Sequence, residues 1–231
     1  MPGFGAEAHL AGSRLGNGGT DPMADQPPDH YFSAAPGSAS APRVVTVRLP
    51  DQVLVMHTDR GVFATAGLDA GTEALLREAP APPASGNVLD LGCGHGLIAI
   101  ALARRSPGTR VVAVDVNQRA LELTRLNAAL NAVSQVQALH PEDVDPNLRF
   151  AAIYSNPPVR VGREPLLAML ASWLARLEPE GSAYLVVQRH LGADSIAERL
   201  RDLGYEVRRL ASKHGYCILA VHAESPASHH P

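Results

Sequence analysis

The chain has 231 residues, 45% of them hydrophobic but only 4% aromatic, and a formal net charge of −3. That length suits one α/β domain with an appendage rather than two full domains, and alanine, valine and leucine must fill its core. The weakly acidic balance excludes nucleic-acid binding by bulk charge alone, though not recognition of a folded RNA; with nineteen arginines against the single Lys213, arginine frequency reflects coding bias and says little about phosphate contacts.

Cys93 and Cys217 lie far apart without metal-ligand spacing, so neither a disulfide framework nor a metal site is expected, and a reducing cytoplasm fits. No stretch approaches the ~18 apolar residues of a membrane span, and the N-terminus lacks a basic head followed by an apolar segment. The chain is therefore read as soluble, unexported and cytoplasmic.

Residues 1–29 are rich in Gly, Ala, Pro and Asp without any period and are expected to be disordered; Met23, which opens MADQPPDHYFS, is a candidate natural start. Residues 30–70 form a predicted hairpin or lid segment, because Val44–Leu49 and Gln52–His57 are β-rich runs parted by a Leu-Pro-Asp break. Residues 71–223 make the main domain. It opens on a helix around EALLRE with Thr72 as its cap.

From Asn87 onward short apolar runs alternate with helical periods, the pattern of a mainly parallel sheet. Leu166, Leu170, Trp173, Leu174 and Leu177 fall at helical spacing as a core stripe. Ser195 and Glu198 read as a capping box, with Gly204 ending that helix. EVRRLA and YCILAVHA are parted only by Ser-Lys-His-Gly, too short for a crossover helix, so these two strands are predicted to pair antiparallel. Residues 224–231 are an expected disordered tail.

Three motifs carry chemistry. In Val88–Gly96, VLDLGCGHG, an apolar strand runs into Gly92, Gly94 and Gly96 just before a helix, whose N-terminal amides could receive a negative group. The spacing is not the G-x-G-x-x-G of dinucleotide sites, and Asp90 precedes the first glycine. Asp115 closes the next apolar run, VVAVDVN, 23 positions after Gly92, where an acid can accept from both hydroxyls of a ribose; Asn117 can cap the following helix in its place. After VQALH come Glu142 and Asp143.

The third motif is Asn156-Pro157-Pro158, after the apolar run AAIYS. In an open α/β sheet ligands bind beyond the carboxyl ends of the strands. The Asn156 side-chain oxygen and a neighbouring carbonyl, that of Pro157, could accept hydrogen bonds from an amino group conjugated to a ring, favouring the pyramidal geometry of methyl transfer. Proline supplies a carbonyl with no competing N–H and a locked φ, so these acceptors are preorganised.

D-x-G-x-G-x-G with Asp115 and Asn-Pro-Pro resembles class I S-adenosylmethionine-dependent methyltransferases that act on exocyclic or amide nitrogen. Including HYFS (30–33), HTDRGVF (57–63), LDAGT (68–72), VDVNQRA (114–120) and SNPPVRVGR (155–163), the order resembles the RsmC-like group of small-subunit ribosomal RNA guanine-N2 methyltransferases over residues 30–220. The resemblance implies a Rossmann-like α/β fold with a seven-stranded, mostly parallel sheet, the last strand antiparallel, and helices on both faces. It implies S-adenosyl-L-methionine as cofactor, contacted by Asp90, Gly92, Cys93, Gly94, Gly96, Asp115, Val116, Asn117, Asp143 and Asn156. At the place after VQALH the resemblance implies that either Glu142 or Asp143 could face the adenine amino group. Asn156, Pro157 and Pro158 would be catalytic, ribosomal RNA or the ribosomal subunit the partner, and Phe63, Val159, Arg160 and Arg163 the substrate contacts.

Three departures stand out, the first two bearing on the substrate and the last, at Ala151, on local stability alone. The chain leaves no room for the extra N-terminal domain of full-length RsmC enzymes. Val159 replaces the aromatic that stacks on the target base in many relatives, leaving Phe63 or Tyr31 for that task. Ala151 stands where the group often has Asp. A small-molecule or protein-amide N-methyltransferase, and a non-catalytic cofactor- or RNA-binding protein, remain the alternatives.

Overall fold

The computed structural model describes residues 39–62, 68–158 and 162–223. Two strands, β1 (Arg43–Arg48) and β2 (Val53–Thr58), form an antiparallel hairpin at the expected place. Then follow α1 (Ala70–Glu78), β3 (Gly86–Leu91), α2 (Leu97–Arg105), β4 (Thr109–Val114), α3 (Gln118–Leu130), β5 (Val136–Leu139), β6 (Phe150–Ser155), α4 (Arg163–Leu174), β7 (Leu177–Gln188), α5 (Ala193–Asp202), β8 (Tyr205–Lys213) and β9 (Tyr216–Ala223).

Seven strands make one sheet in the order β5-β4-β3-β6-β7-β9-β8, with β9 antiparallel to both neighbours and the other pairings parallel. The sheet is Rossmann-like, with helices on both faces, as its residue pattern requires. Strand side chains alternate between faces, so Val88, Val111, Ala113, Ala152, Tyr154, Val186 and Ile218 pack with α1, α2 and the hairpin. Their neighbours Leu89, Val112, Val114, Ile153, Leu185, Val187 and Leu219 pack with α4 and α5. Because both faces are covered, the strands read as continuous apolar runs rather than alternating ones.

The chain runs outward from β3 through β4 to β5, then returns to place β6 on the other side of β3. The crevice beyond the carboxyl ends of β3 and β6 is thus the point where strand order reverses, the usual ligand position in such sheets. The Ser155 hydroxyl, fully buried, donates to the Leu91 carbonyl at 2.7 Å and ties these two strand ends together.

The hairpin is stitched to α3 by two asparagines one helical turn apart. Asn127 accepts from the His57 N–H at 2.6 Å and donates to the His57 carbonyl at 2.9 Å, while Asn131 does the same to Val55 at 3.3 and 2.8 Å. These side chains imitate a neighbouring strand along the edge of β2, whose backbone groups would otherwise lack partners.

Three local expectations are corrected. Helix α1 is capped by Asp69, whose carboxylate accepts from the Gly71 and Thr72 amides, so Thr72 lies inside the helix. The Ser195–Glu198 capping box does not form. The turn at 189–191 enters α5 directly through left-handed Gly192 (φ 98°), so the helix starts at Ala193 and Ser195 is already within it. Leu177 belongs to β7, because α4 stops at Leu174 and two residues turn the chain back into the sheet. Gly204, at φ 87°, follows the end of α5 as expected. The His214-Gly215 turn joins β8 to β9 antiparallel.

Among the described residues no helix is long and apolar enough to cross a membrane, and no cluster of three metal-ligating side chains is found.

Candidate active site

Beyond β3 the chain turns through Gly92 (φ 77°), Gly94 (φ 56°) and Gly96 (φ 87°), conformations that residues with a Cβ rarely adopt. At Gly96 space forbids a side chain as well: a Cβ would stand 2.8 Å from Thr124 of α3. The loop amides are already bonded within the protein. Those of Gly92 and Cys93 share the Val114 carbonyl at 2.8 and 2.9 Å, and that of Gly94 donates to the Asp115 carboxylate at 2.9 Å. Asp90, beneath the loop, accepts from the Ala99 amide in the first turn of α2 at 2.9 Å. Of the amides at the start of α2 expected to be free for a negative group, that of Ala99 is thus taken by Asp90, and the loop amides of Gly92, Cys93 and Gly94 are taken as well. The loop offers close backbone approach rather than an anion nest, which suits a ligand without a pyrophosphate.

Asp115 stands at the end of β4, its two oxygens oriented by the amides of Gly94 and Asn117. Burial raises its pKa while those amides pull it down. Each oxygen keeps a lone pair for the cavity it lines. Asn117 caps α3 through the Arg119 and Ala120 amides and donates to the Gly61 carbonyl at 3.0 Å, so its side chain is committed to the fold.

A cavity of about 610 Å³ opens here, within the range of about 300–1,000 Å³ common for small-molecule sites. Apolar side chains of Val62, Leu91, Val114, Val116, Ala120 and Pro141 line it together with the Asp115 carboxylate. Asn156, Asp69, Gln188, His190 and Tyr216 line it too, as do Met169 and Trp173 of α4.

Asn156, Pro157 and Pro158 line the cavity together with Gly92 and Gly94, and a Cβ on Gly92 would lie 3.8 Å from Pro158 Cδ. The glycine turn and the Asn-Pro-Pro turn are thus in contact. The Asn156 amide nitrogen donates to Asp69 Oδ1 at 3.1 Å and to Thr72 Oγ1 at 3.0 Å. Tyr216, whose hydroxyl accepts from Gln188 at 2.9 Å, lays its ring over Gly71, where a Cβ would stand 2.8 Å from Cε1.

Other sequence candidates sit apart from this cavity wall. Asp90 is fully buried under the loop, and burial first, then the nearby Asp115 charge, raises its pKa to about 7. Cys93 is buried against Thr124, and burial pushes its thiol pKa up. Gly96 begins α2. Glu142 and Asp143 are exposed on the turn after β5, where only Pro141 of the three reaches the cavity. Arg163 is exposed at the start of α4. Phe63, Val159, Arg160 and Tyr31 lie outside the described residues. Sequence reasoning gave no role to Asp69, Gln188, His190 or Tyr216; Asp69 falls within LDAGT, and Gln188 and Tyr216 are paired where β7 ends and β9 begins. Trp173, read as core alone, is 7% exposed yet also lines the cavity.

Residues 53–220 match the methyltransferase small-domain family. The protein YbxB of Bacillus subtilis is 32% identical over 194 residues, covering 83% of this chain and 96% of its own length. Ribosomal RNA small subunit methyltransferase C of Aeromonas hydrophila is 36% identical over 142 residues, covering 60% of this chain but 41% of its own. Among solved structures, the T. thermophilus 16S rRNA N2 methyltransferase RsmC, in complex with AdoMet and guanosine, superposes with a TM-score of 0.70 at 27% identity, over 80% of this chain and 52% of that one. The chain therefore spans about half the length of the RsmC proteins it matches, and nearly all of YbxB.

Proposed function

As the chain belongs to the methyltransferase small-domain family and is an S-adenosylmethionine-dependent methyltransferase, we propose that it methylates the exocyclic amino group of a guanine in small-subunit ribosomal RNA, in the cytoplasm. The observation that carries this reading is the contact between the Asn156-Pro157-Pro158 turn and the glycine turn of β3 at one cavity. RsmC relatives act on this class of RNA by name, and RsmC of T. thermophilus was solved with guanosine beside AdoMet.

The lining of the cavity supports the following roles. The Asp115 carboxylate would hold the ribose hydroxyls, the apolar side chains at Val116 and Pro141 the adenine, and the Gly92–Gly94 backbone the methionine portion, all of them lining the one cavity. Once bound, S-adenosylmethionine supplies a sulfonium methyl group to a nitrogen lone pair. Asn156 Oδ1 and the Pro157 carbonyl accept the two N–H groups of the amine, so its lone pair leaves conjugation with the ring and faces the methyl. A carbon–sulfur bond breaks, a carbon–nitrogen bond forms, and the nitrogen then releases one proton to solvent, so no strong base is needed. Arg163, exposed at the start of α4, would contact RNA phosphates.

The test is transfer of radiolabelled methyl to small ribosomal subunits, free ribosomal RNA, transfer RNA and a metabolite extract, by wild type and Asn156→Ala. Label in small-subunit RNA is expected, with kcat about 10²–10³-fold lower in the variant and cofactor binding little changed. Label confined to the metabolite fraction, or an undiminished Asn156→Ala, would overturn the reading.

A further inference from the structure

We propose that Asp69, together with Thr72, is a positioning residue that fixes which way the Asn156 amide faces. The inference rests on the reading of Asn156 as the group that accepts from the target amine. A primary amide is nearly symmetric in shape but opposite in function at its two ends. Oxygen toward the substrate accepts from an amine; nitrogen there would confront N–H with N–H.

Asn156 commits both of its amide protons to the start of α1, one on Asp69 Oδ1 at 3.1 Å and one on Thr72 Oγ1 at 3.0 Å. A carboxylate only accepts, so turning the amide over would set oxygen against oxygen at Asp69. Only Oδ1 of Asn156 is left to the cavity.

A second observation sets Asp69 apart from an ordinary cap. Its Oδ1 accepts from the Gly71 and Thr72 amides at 2.9 and 3.2 Å and from Asn156. Its Oδ2 is buried with no hydrogen-bond partner among the described residues. A buried polar oxygen left unpaired is costly, and a serine cap would start the helix without it. What serine lacks is the reach to hold an amide beyond the cap. Thr72, displaced from the capping role its sequence position suggests, completes the pair by giving its hydroxyl to the same amide.

The experiment separates orientation from capping. Asp69→Gly keeps a competent helix start and removes the acceptor; it is expected to lower kcat about tenfold or more while leaving the cofactor Kd and the KM for ribosomal RNA within about threefold and the melting midpoint within about 2 °C. Asp69→Asn, which retains an oxygen at the Oδ1 position, should restore most of the lost rate. Thr72→Val should lower kcat and Thr72→Ser rescue it. In an Asn156→Ala background, Asp69→Gly should cost nothing further, because it acts through the amide.

The side-chain NH₂ resonances of Asn156 give a readout that needs no turnover. They should exchange slowly in wild type and Asp69→Asn, and fast in Asp69→Gly. Full activity in Asp69→Gly, an undiminished penalty when Asn156 is already alanine, or a fast-exchanging amide in wild type would overturn the proposal. An active Asn156→Ala with a slowly exchanging wild-type amide would instead sink the catalytic reading of Asn156, leaving its clamp by Asp69 as a structural fact only.

Discussion

Asp90 ties the end of β3 to the first turn of α2 from a fully buried position beneath the glycine turn. It is 0% exposed, and among the described residues its Oδ2 accepts from the Ala99 amide while its buried Oδ1 has no hydrogen-bond partner. Desolvation disfavours its charged form, and with Asp115 nearby its pKa rises to about 7. The folded protein therefore holds a proton between the unfolded value, near 4, and about 7 that the unfolded chain has released. Stability from this group is complete below the lower value and is lost as pH rises through the upper one. Asp90→Asn mimics the protonated form. Its advantage in melting midpoint over wild type should be small near pH 4, grow through pH 5 and 6, and level off by pH 8 at a stability on the order of 1–4 kcal/mol; the other carboxylates are common to both proteins and cancel. An Asn variant that is less stable than wild type at pH 8 would mean that the charged form is the one the loop requires.

Helix α3 does two tasks with one residue set. Asn127, 0% exposed, bonds the backbone of β2 at His57 and the carbonyl of His95 within the glycine turn, at 2.9 Å. The hairpin and the cofactor loop are thus braced by the same side chain. Asn127→Ala leaves buried backbone groups unpaired in both, and is expected to cost about 2–4 kcal/mol in urea denaturation and to weaken cofactor binding. Asn131 grips Val55 at a more exposed position, and Asn131→Ala should cost under about 1 kcal/mol with cofactor affinity intact. Equal losses from the two would show that the hairpin, rather than the loop contact, carries the effect.

The cavity belongs to no single element. Its walls come from the ends of β3, β4, β6 and β7, the start of β9, and α4, with Asp69 just ahead of α1. A ligand bound there joins segments that must separate on unfolding, so cofactor should stabilise the chain by mass action. At about 100 times Kd the gain is about 2.7 kcal/mol, or a rise of about 5–10 °C in melting midpoint for a chain of this size. Asp115→Ala should abolish most of that rise in a thermal-shift series with S-adenosylmethionine. A full rise in the variant would exclude Asp115 as the diol acceptor.

What the sequence by itself determined are the features written in short windows. Apolar runs and helical periods placed the strands and helices, positive-φ glycines marked the turn after β3, and Asn-Pro-Pro marked the end of β6. Each depends on backbone sterics or periodicity within a few residues. The helix starts at α1 and α5 were misread because a cap depends on how the chain enters the helix, and Asp69 and Gly192 were the entries chosen. Only the tertiary structure decided the second half of the site. Asn156 meets Asp69 across 87 positions and Asn127 meets His57 across 70, contacts that no local pattern encodes. Those partners are selected by the sheet order that brings β3, β6, β7 and β9 to one rim, and a polar side chain on a loop looks the same in sequence whether it faces water or a buried amide.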